Sequence, residues 1–380
     1  MTSSKYPSTP KVIVTAAPYG LGPASNLVAI ASLLADHLPL RVVVDDTVSQ
    51  YVEQSLGNLC QVESISRERW WKSTDESATH ARAIIAVHEP RACRWAARNG
   101  IASVFVDSLA WVRPPNSLGC NPDLYIWQKF FSVPSSAFLD SVGTAVGVAP
   151  IMLAPIVPDE PERRRVDLLV NLGGMISPEV SVKVASLYAE WIAAAIEQVV
   201  IKLGLSAILC APRAVADLMD PTTDGGALVL SPNQHDFRVL VASARAVLTV
   251  PGIESVLECL DAARPLMFLP PLNGSQAVQL AVYREHGIGI SKPDISDSHV
   301  SPSVGSNLAE TTRQAIVRWM RAAENGAEAL ATDLMVLIQE VWDGNEARSI
   351  DYGSARFNGL GSEGAQSAVS SILSLLGPAD

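Results

Sequence analysis

The chain has 380 residues, of which 48% are hydrophobic and 18% are charged, and its formal net charge is −11. This length predicts two domains with ample cores rather than one. The acidic balance argues against nucleic acid or an anionic membrane as the main partner, because both attract basic surfaces.

Cysteine usage and the apolar stretches predict a cytoplasmic protein. Five dispersed cysteines without metal-type spacing are typical of reduced thiols. The polar N-terminus and the short apolar run after it show no export signal. The most apolar later stretch is interrupted by Glu197, Lys202 and Gly204. It therefore predicts a buried helix followed by a strand, and no membrane span.

Strands and helices alternate through the first part of the chain. The strands are predicted at 11–18, 41–46, 83–90, 102–108 and 123–130, with helices at 25–37 and through Ala97. Continuous apolar strands separated by helices indicate a parallel sheet covered on both faces. Residues 1–152 are therefore expected to form one doubly wound, Rossmann-like α/β domain.

Closely spaced prolines mark a boundary. They predict an extended linker over 153–166. A second Rossmann-like domain is expected over 167–345, with two helices between 308 and 341. Its strands are predicted at 167–174, 207–212, 227–232, 246–252, 265–271 and 287–291. Residues 346–380 hold a polar interval and a final helix near 362–376.

The block from Ala246 to Gly289 has the pattern of a nucleotide site. Pro251 and Gly252 end a strand, and a helix then follows with apolar residues at helical spacing, namely Val256, Leu257, Leu260 and Ala263. The unpaired backbone N–H groups of a helix start bind anions well. Glu258 lies one to two turns further on, within reach of a ribose attached to a phosphate held there.

This block resembles the C-terminal half of GT-B glycosyltransferases, especially the UDP-glycosyltransferases and the enzyme that adds N-acetylglucosamine to a lipid-linked peptidoglycan precursor. In that family a helix bearing Glu precedes a strand ending in Pro and then a Gln or Asn pair. Here Glu258 lies seven residues before Pro265, and Gln276 and Gln279 follow the next strand. The resemblance implies a GT-B fold, in which two Rossmann-like domains face each other across a cleft and a C-terminal helix in 346–380 crosses back to the N-terminal domain.

The resemblance also implies a UDP-sugar as co-substrate. Glu258 would bind the ribose hydroxyls, and Gln276 and Gln279 the donor sugar. The Gly173-Gly174 loop, followed by Ser177, would help hold the diphosphate, although a plain strand-to-helix turn explains it equally well. The full predicted donor-binding set is Gly173, Gly174, Asn233, His235, Pro251, Gly252, Ile253, Glu254, Ser255, Glu258, Gln276 and Gln279. Within it, His235 has a simpler role at a helix start, and Glu254 is expected to point away from the cleft because it would repel a diphosphate.

A first glycine turn, PYGLGPAS, follows the first strand. With Asp45 and Asp46 ending the next strand, it is similar to a dinucleotide fingerprint, so an NAD-dependent oxidoreductase is a rival. Ser25 replaces the third glycine of that fingerprint. In GT-B enzymes the same place lines the acceptor side, and the predicted acceptor-binding residues are Tyr19, Gly20, Leu21, Gly22 and Pro23.

Inverting transfer needs a base to take the acceptor proton. Many inverting relatives place a His in the first loop, and this chain has none there. Replacement bases at strand ends are Asp107, as first choice, His88 and Glu89, each of which could equally be a capping residue. An acceptor that is already nucleophilic, such as a nucleobase nitrogen, would need less help. The loop at Gly20 to Ala24 also looks similar to cytosylglucuronate synthases, which attach a glucuronosyl group to cytosine.

The chain contains no DxD motif, which fits a metal-independent transferase with no cofactor beyond the UDP-sugar. The expected partners are a nucleotide-sugar and a small-molecule acceptor, and a homodimer is left open. Three alternatives to the transferase stay open as well. They are a UDP-sugar 2-epimerase, an NAD-dependent oxidoreductase and a catalytically silent GT-B partner protein.

Overall fold

A computed structural model describes residues 12–66, 80–154, 166–177, 179–221, 226–290, 308–345, 357–361 and 363–377. The chain divides into two compact units, Met1–Leu153 with Leu360–Asp380, and Ala154–Gly359. Most of the predicted linker, 155–165, and the start of the predicted crossover, 346–356, lie outside the described residues.

The first unit is built on a seven-stranded sheet of order β3-β2-β1-β4-β5-β6-β7 in which all neighbouring strands are parallel. The strands are β1 Val12–Ala16, β2 Leu40–Val44, β3 Gln61–Ser64, β4 Ala83–Val87, β5 Ala102–Asp107, β6 Leu124–Gln128 and β7 Ala145–Val148. The helices are α1 Gly22–Leu34, α2 Asp46–Leu56, α3 Pro90–Arg98, a 3-10 turn Ala110–Val112, α4 Ser136–Ser141 and α12 Gly364–Leu376. Every residue of β1, β2 and β4 is buried, which explains their largely apolar sequences; the one charged residue in them, Arg41 of β2, pairs with Glu63 of β3 at 2.6 Å.

The last helix, α12, belongs to the first unit, where it packs against α1. Ala368, Val369 and Ile372 of α12 join the core formed by α1 and the strands. Gly364 permits the approach, because a Cβ there would collide with the carbonyl oxygens of Ala149 and Pro150. The predicted return of the C-terminal helix to the N-terminal domain is confirmed.

The second unit is built on a five-stranded parallel sheet of order β10-β9-β8-β11-β12. The strands are β8 Val166–Asn171, β9 Ala207–Cys210, β10 Leu228–Leu230, β11 Ala244–Thr249 and β12 Leu266–Phe268. The helices are α5 Val182–Leu203, α6 Arg213–Ala216, α7 Gln234–Ser243, α8 Ile253–Asp261, α9 Gly274–Glu285, α10 Leu308–Glu324 and α11 Ala327–Glu340, which continues into a π turn, Val341–Asn345.

Helix α5 runs through the core of the second unit. It is the one helix among the described residues long and apolar enough to cross a membrane, and 61% of its most apolar window is buried inside the protein. Tyr188 and Trp191 of α5 pack against Trp319 of α10. This burial explains the apolar sequence of α5 by packing.

Two predicted elements differ from the structure. The strand expected at 287–291 is, within the described residues, a single bridge between Ile290 and Met267. Gly287 and Gly289 adopt φ of 62° and 66°, which breaks an extended strand. Helix α8 ends at Asp261, so Ala263 does not belong to its apolar face; Ala263 has a φ of 50° in the turn after the helix.

Candidate functional site

The side chain of Asn171 connects the carboxyl ends of β8 and β11 by hydrogen bonds. Thr249 lies opposite Asn171 in the register of the two strands. The Asn171 Nδ2 donates to Thr249 Oγ1 at 3.0 Å and to Ser255 Oγ at 2.7 Å, and its Oδ1 accepts from the Gly173 N–H at 3.0 Å. Asn171 therefore fixes the glycine loop and the first turn of α8 to the same edge of the sheet.

Helix α8 starts as an anion site would. Gly252 is its N-cap, and no side chain caps the helix there. Helical geometry gives the first-turn amides of Ile253 and Ser255 no acceptor within the helix, and the helix dipole makes them attractive to a phosphate. The N–H of Gly252 donates to the Val250 carbonyl at 2.6 Å, so this amide is engaged within the loop. Pro251, between them, is buried.

Glu258 faces α7 from inside the second unit. Burial raises its pKa to about 7, while the charge of Arg238 and a hydrogen bond with Gln234 act in the opposite direction. Arg238 also pairs with Asp261 at 3.3 Å and donates to the Ala154 carbonyl at 2.7 Å. Glu258 is thus a buried carboxyl that is about half ionised at neutral pH.

The two predicted sugar-binding glutamines differ in their surroundings. The amide of Gln276 is engaged at both ends, since Oε1 accepts from the Leu272 N–H and Nε2 donates to the Gly174 carbonyl, each at 2.8 Å. A Cβ at Gly174 would lie 3.0 Å from that Nε2, so the loop and α9 are in close contact. Gln279 is buried, and its Oε1 has no hydrogen-bond partner among the described residues. Gln276 therefore holds the loop, and Gln279 keeps an open acceptor.

The other predicted donor residues lie at helix starts. Asn233 caps α7 by accepting from the Asp236 N–H at 2.9 Å. His235 is exposed in the first turn. Glu254 is buried, and its charge adds to the effect of burial in raising the pKa of Tyr283. The expected direction of Glu254 relative to a cleft stays a prediction.

The first glycine turn precedes α1 in the first unit. Gly20 is buried with a φ of 66°, a conformation that favours glycine. Leu21 is the N-cap, Gly22 begins α1, and Pro23 follows in the first turn. Tyr19 is 42% exposed beside them. The loop thus presents an aromatic side chain at the carboxyl end of β1.

The two acids that would hold the ribose of NAD have local partners. Asp45 caps α2 by accepting from the Thr47 N–H at 3.1 Å. Asp46 accepts a hydrogen bond from the Ser64 hydroxyl. These contacts explain both carboxylates structurally and give no support to an NAD site.

Asp107, at the end of β5, lies in a buried polar cluster. It is fully buried, pairs with Arg113, and accepts from the Tyr125 hydroxyl at 2.7 Å and the Leu109 N–H at 2.8 Å. Burial alone would raise the pKa of Asp107, but the charges of Arg113 and His88 and the hydrogen bonds from Arg113 and Tyr125 hold it below its ordinary value. Asp107 is therefore an ionised carboxylate surrounded by protein groups.

His88, just after β4, adopts an unusual backbone conformation with a φ of 56°. Its Nδ1 lies 3.4 Å from Asp107 Oδ1. Its Nε2 accepts from the Ser108 N–H at 3.0 Å and lies 2.9 Å from Ser108 Oγ. Burial, together with Arg113, lowers the pKa of His88 to about 4 against the opposing charge of Asp107. The imidazole is therefore neutral at pH 7.

Glu89 is the third predicted base. It is buried, and its carboxylate caps α3 by accepting from the Arg91 N–H at 3.1 Å. This contact matches the capping interpretation.

A group of three or more potential metal ligands does not occur in the described part of the chain.

Among the residues of these clusters that were not predicted from the sequence are Ser108, Arg113, Tyr125, Asn171 and Arg238. A sequence signal exists for two of them, since Asn171 ends a buried strand and Ser108 directly follows one. Arg113, Tyr125 and Arg238 are identified only by the packing that brings separate elements together.

No family model and no curated protein sequence matches the chain. Solved structures do. Os79 from O. sativa, in complex with U2F and trichothecene, has a TM-score of 0.57 and 13% identity, covering 96% of this chain and 100% of that chain. UGT2 of Phytolacca americana, complexed with UDP-2fluoro-glucose and pterostilbene, has a TM-score of 0.54 and 12% identity, covering 96% and 99%. The glycotransferase of kitacinnamycin has a TM-score of 0.53 and 14% identity, covering 98% and 100%.

The chain has the GT-B fold. These structural neighbours are GT-B glycosyltransferases, and each alignment extends over both units of this chain. The prediction of a GT-B fold is confirmed. At 12% to 14% identity the comparison establishes the fold alone. The closer resemblances, to the peptidoglycan enzyme and to cytosylglucuronate synthases, stay predictions.

Proposed function

We propose that the chain is a glycosyltransferase that moves a sugar from a UDP-sugar to a small-molecule acceptor. The observation that carries this proposal is the pairing of an uncapped helix start with a buried carboxyl on the same helix, α8, at the carboxyl end of a GT-B sheet. The helix start suits a diphosphate, and Glu258 suits a ribose. Two of the structural neighbours were solved with U2F or UDP-2fluoro-glucose, which supports a uridine nucleotide.

The donor half of the mechanism follows from the second unit. The amides of Ile253 and Ser255, aided by the helix dipole, stabilise the negative charge that develops on the departing UDP. Glu258, when ionised, accepts hydrogen bonds from the ribose hydroxyls. Gln279 offers its open Oε1 to a hydroxyl of the donor sugar. Charge stabilisation by amides is compatible with transfer that needs no metal ion.

The acceptor half is assigned to the first unit. The loop from Tyr19 to Pro23 lines the acceptor, and His88 is the base, with Asp107 orienting it. The sequence favours Asp107 as the base. His88 takes its place here because the oxygens of Asp107 accept hydrogen bonds from protein groups and Glu89 caps a helix. A single displacement with one base inverts the anomeric carbon.

The proposed base is weak, and this bears on the acceptor. With a pKa of about 4, His88 resembles a carboxylate in basicity. Such a base suits an acceptor whose attacking atom is already nucleophilic or acidic, for example a nucleobase nitrogen. Glucuronosyl transfer to cytosine is the narrower form of the proposal, and it rests on the resemblance of the loop at Gly20 to Ala24.

The nucleotide is tested by a thermal-shift screen of UDP, CMP, dTDP, GDP and NAD. We expect UDP to raise the melting temperature most, by the linkage between ligand binding and stability. No stabilisation by UDP would contradict the proposal, and stabilisation by NAD alone would favour the oxidoreductase.

Turnover separates the enzymes that share this fold. We expect UDP release from a UDP-sugar to increase when an acceptor is added. Conversion of UDP-N-acetylglucosamine without any acceptor would identify a 2-epimerase. Binding of UDP without release from any UDP-sugar would identify a catalytically silent relative.

A further inference from the structure

Three side chains at one edge of the first unit, those of Ser108, His88 and Asp107, follow one another in close contact. Ser108 Oγ lies 2.9 Å from His88 Nε2, and His88 Nδ1 lies 3.4 Å from Asp107 Oδ1. A hydroxyl, an imidazole and a carboxylate in this order are the arrangement by which proteins activate a serine hydroxyl. Neither Ser108 nor its contact with His88 has a role in the mechanism described so far.

The hydrogen bonds fix where the protons lie. A backbone N–H only donates, so the N–H of Ser108 at 3.0 Å makes His88 Nε2 an acceptor. A neutral imidazole then carries its proton on Nδ1, which faces the ionised Asp107. Because Nε2 has no proton to give, the Ser108 hydroxyl is the donor in its 2.9 Å contact. The oxygen lone pairs of Ser108 stay available to a second donor.

The fold places this series beside the predicted acceptor loop. Strands β1, β4 and β5 are neighbours and run parallel, so the residues that follow them lie at one edge of the sheet. That edge holds the Tyr19 loop, His88 and Ser108. The exposed fraction rises along the series, from 0% for Asp107 to 4% for His88 and 7% for Ser108. Ser108 is therefore the outermost member.

The backbone of His88 indicates that this geometry is imposed. A φ of 56° is disfavoured for a residue with a side chain and persists only where the surroundings enforce it. Here the hydrogen bonds of His88 with Ser108 and its contact with Asp107 hold the backbone in this conformation.

We infer that Ser108 is a catalytic residue, which contacts the acceptor and passes the acceptor proton to His88. The inference rests on the proposed glycosyl transfer and deepens it. The acceptor oxygen or nitrogen forms a bond to the anomeric carbon of the donor while the bond from that carbon to the phosphate oxygen breaks, and UDP leaves with the electron pair. The acceptor proton moves to Ser108 Oγ as the Ser108 proton moves to His88 Nε2. The imidazolium is stabilised by Asp107 and returns its proton to solvent.

The test compares acceptors that need different amounts of base. Wild type and S108A are assayed for UDP release from UDP-glucose with 4-nitrophenol, which is acidic, and with benzyl alcohol, which is not. Positioned acid–base groups contribute about 10²-fold to 10⁴-fold in rate. We expect S108A to lose about 10²-fold in kcat with benzyl alcohol and clearly less with 4-nitrophenol, with UDP binding unchanged.

Two further variants control for folding. S108T keeps the hydroxyl and is expected to recover most of the rate. S103A removes a buried serine hydroxyl from β5, the strand that Ser108 follows; Ser103 Oγ donates to Asp123 at 3.2 Å, and S103A is expected to behave as wild type. A lower melting temperature of S108A than of S103A would not by itself explain a loss that depends on the acidity of the acceptor.

Three results would overturn the inference. Wild-type kcat in S108A, or an equal loss with both acceptors, would remove Ser108 from the proton path while leaving the proposed transferase intact. No UDP release by wild type with either acceptor, together with no binding of UDP, would instead contradict the proposed function and the role of Ser108 with it.

Discussion

Burial favours the neutral form of the Glu258 carboxyl, whereas binding a ribose favours the ionised form. This carboxyl is placed to bind a ribose when ionised, yet burial raises its pKa to about 7. A group whose folded pKa lies above its unfolded value stabilises the protein fully below the unfolded pKa, and this contribution is lost as the pH rises through the folded pKa. The stabilising contribution of Glu258 is therefore lost between about pH 4.5 and about pH 7.

This pH range leads to a prediction for Glu258→Gln. The amide keeps the shape and has no charge to bury, so E258Q is expected to melt higher than wild type at pH 8 and to differ little at pH 4.5. The measurement is the melting temperature of both proteins without nucleotide across this range. A difference in melting temperature between E258Q and wild type that is the same at every pH would contradict the prediction that Glu258 is buried and titrates in this range.

Asp107 is predicted to be a stabilising residue as well as a part of the site. Asp107→Asn leaves the largely buried Arg113 without its countercharge and removes the negative charge beside His88. Loss of one partner of a buried pair costs about 3–5 kcal/mol. We expect a correspondingly lower urea midpoint for the first unit.

The comparison for Asp107 is Asp217→Asn in the second unit, which breaks the exposed pair between Arg213 and Asp217 at 2.7 Å and is expected to leave the urea midpoint of the first unit unchanged. Exposed pairs contribute about 1 kcal/mol or less. If D107N and D217N unfolded at the same urea concentration as wild type, the Asp107 cluster would not hold the first unit together.

Among the elements, the C-terminal helix α12 depends on a close backbone contact at one glycine. Gly364, its first residue, lies against the backbone of Ala149 and Pro150, and a methyl group there has no room. Because the obstacle is backbone, it cannot move aside as a side chain would. Overpacking of this kind costs about 1–3 kcal/mol.

We therefore predict that Gly364→Ala lowers the melting temperature of the first unit. Ser370→Ala, at an exposed position of the same helix, is the matched control and is expected to leave it unchanged. Equal melting temperatures for G364A and S370A would show that α12 does not require this close contact.

The elements also show how far sequence patterns reach. Buried strands such as β4 of the first sheet and β12 of the second are continuous apolar runs, and the helices between the strands have apolar residues at helical spacing, so both sheets could be predicted. Strands β3 and β7 could not, because they lie at the edges of the sheet, are partly exposed and have short, mixed sequences. The strand predicted at Gly287 failed because the apolar pattern does not register the positive φ of its glycines.

For the molecule as a whole, the residue types of the site were predictable and their pairings were not. The block around Glu258 is contiguous in sequence, and its helix start and carboxyl could be predicted from it. The cluster of His88, Ser108 and Asp107 is formed by the parallel register of β4 and β5, which no local pattern encodes. The same holds for Arg238, which reaches Glu258 from a different helix.

The central claim is that α8 binds UDP, with Glu258 recognising the ribose. Calorimetric titration of UDP and of 2′,3′-dideoxy-UDP into wild type and Glu258→Ala at pH 8 tests it most directly. A hydrogen bond to a charged group contributes about 1.5–3 kcal/mol, so we predict that wild type binds UDP at least ~10-fold more tightly than the dideoxy analogue and that E258A binds both equally. Equal affinity of wild type for the two nucleotides, or an undiminished preference for UDP in E258A, would contradict the account.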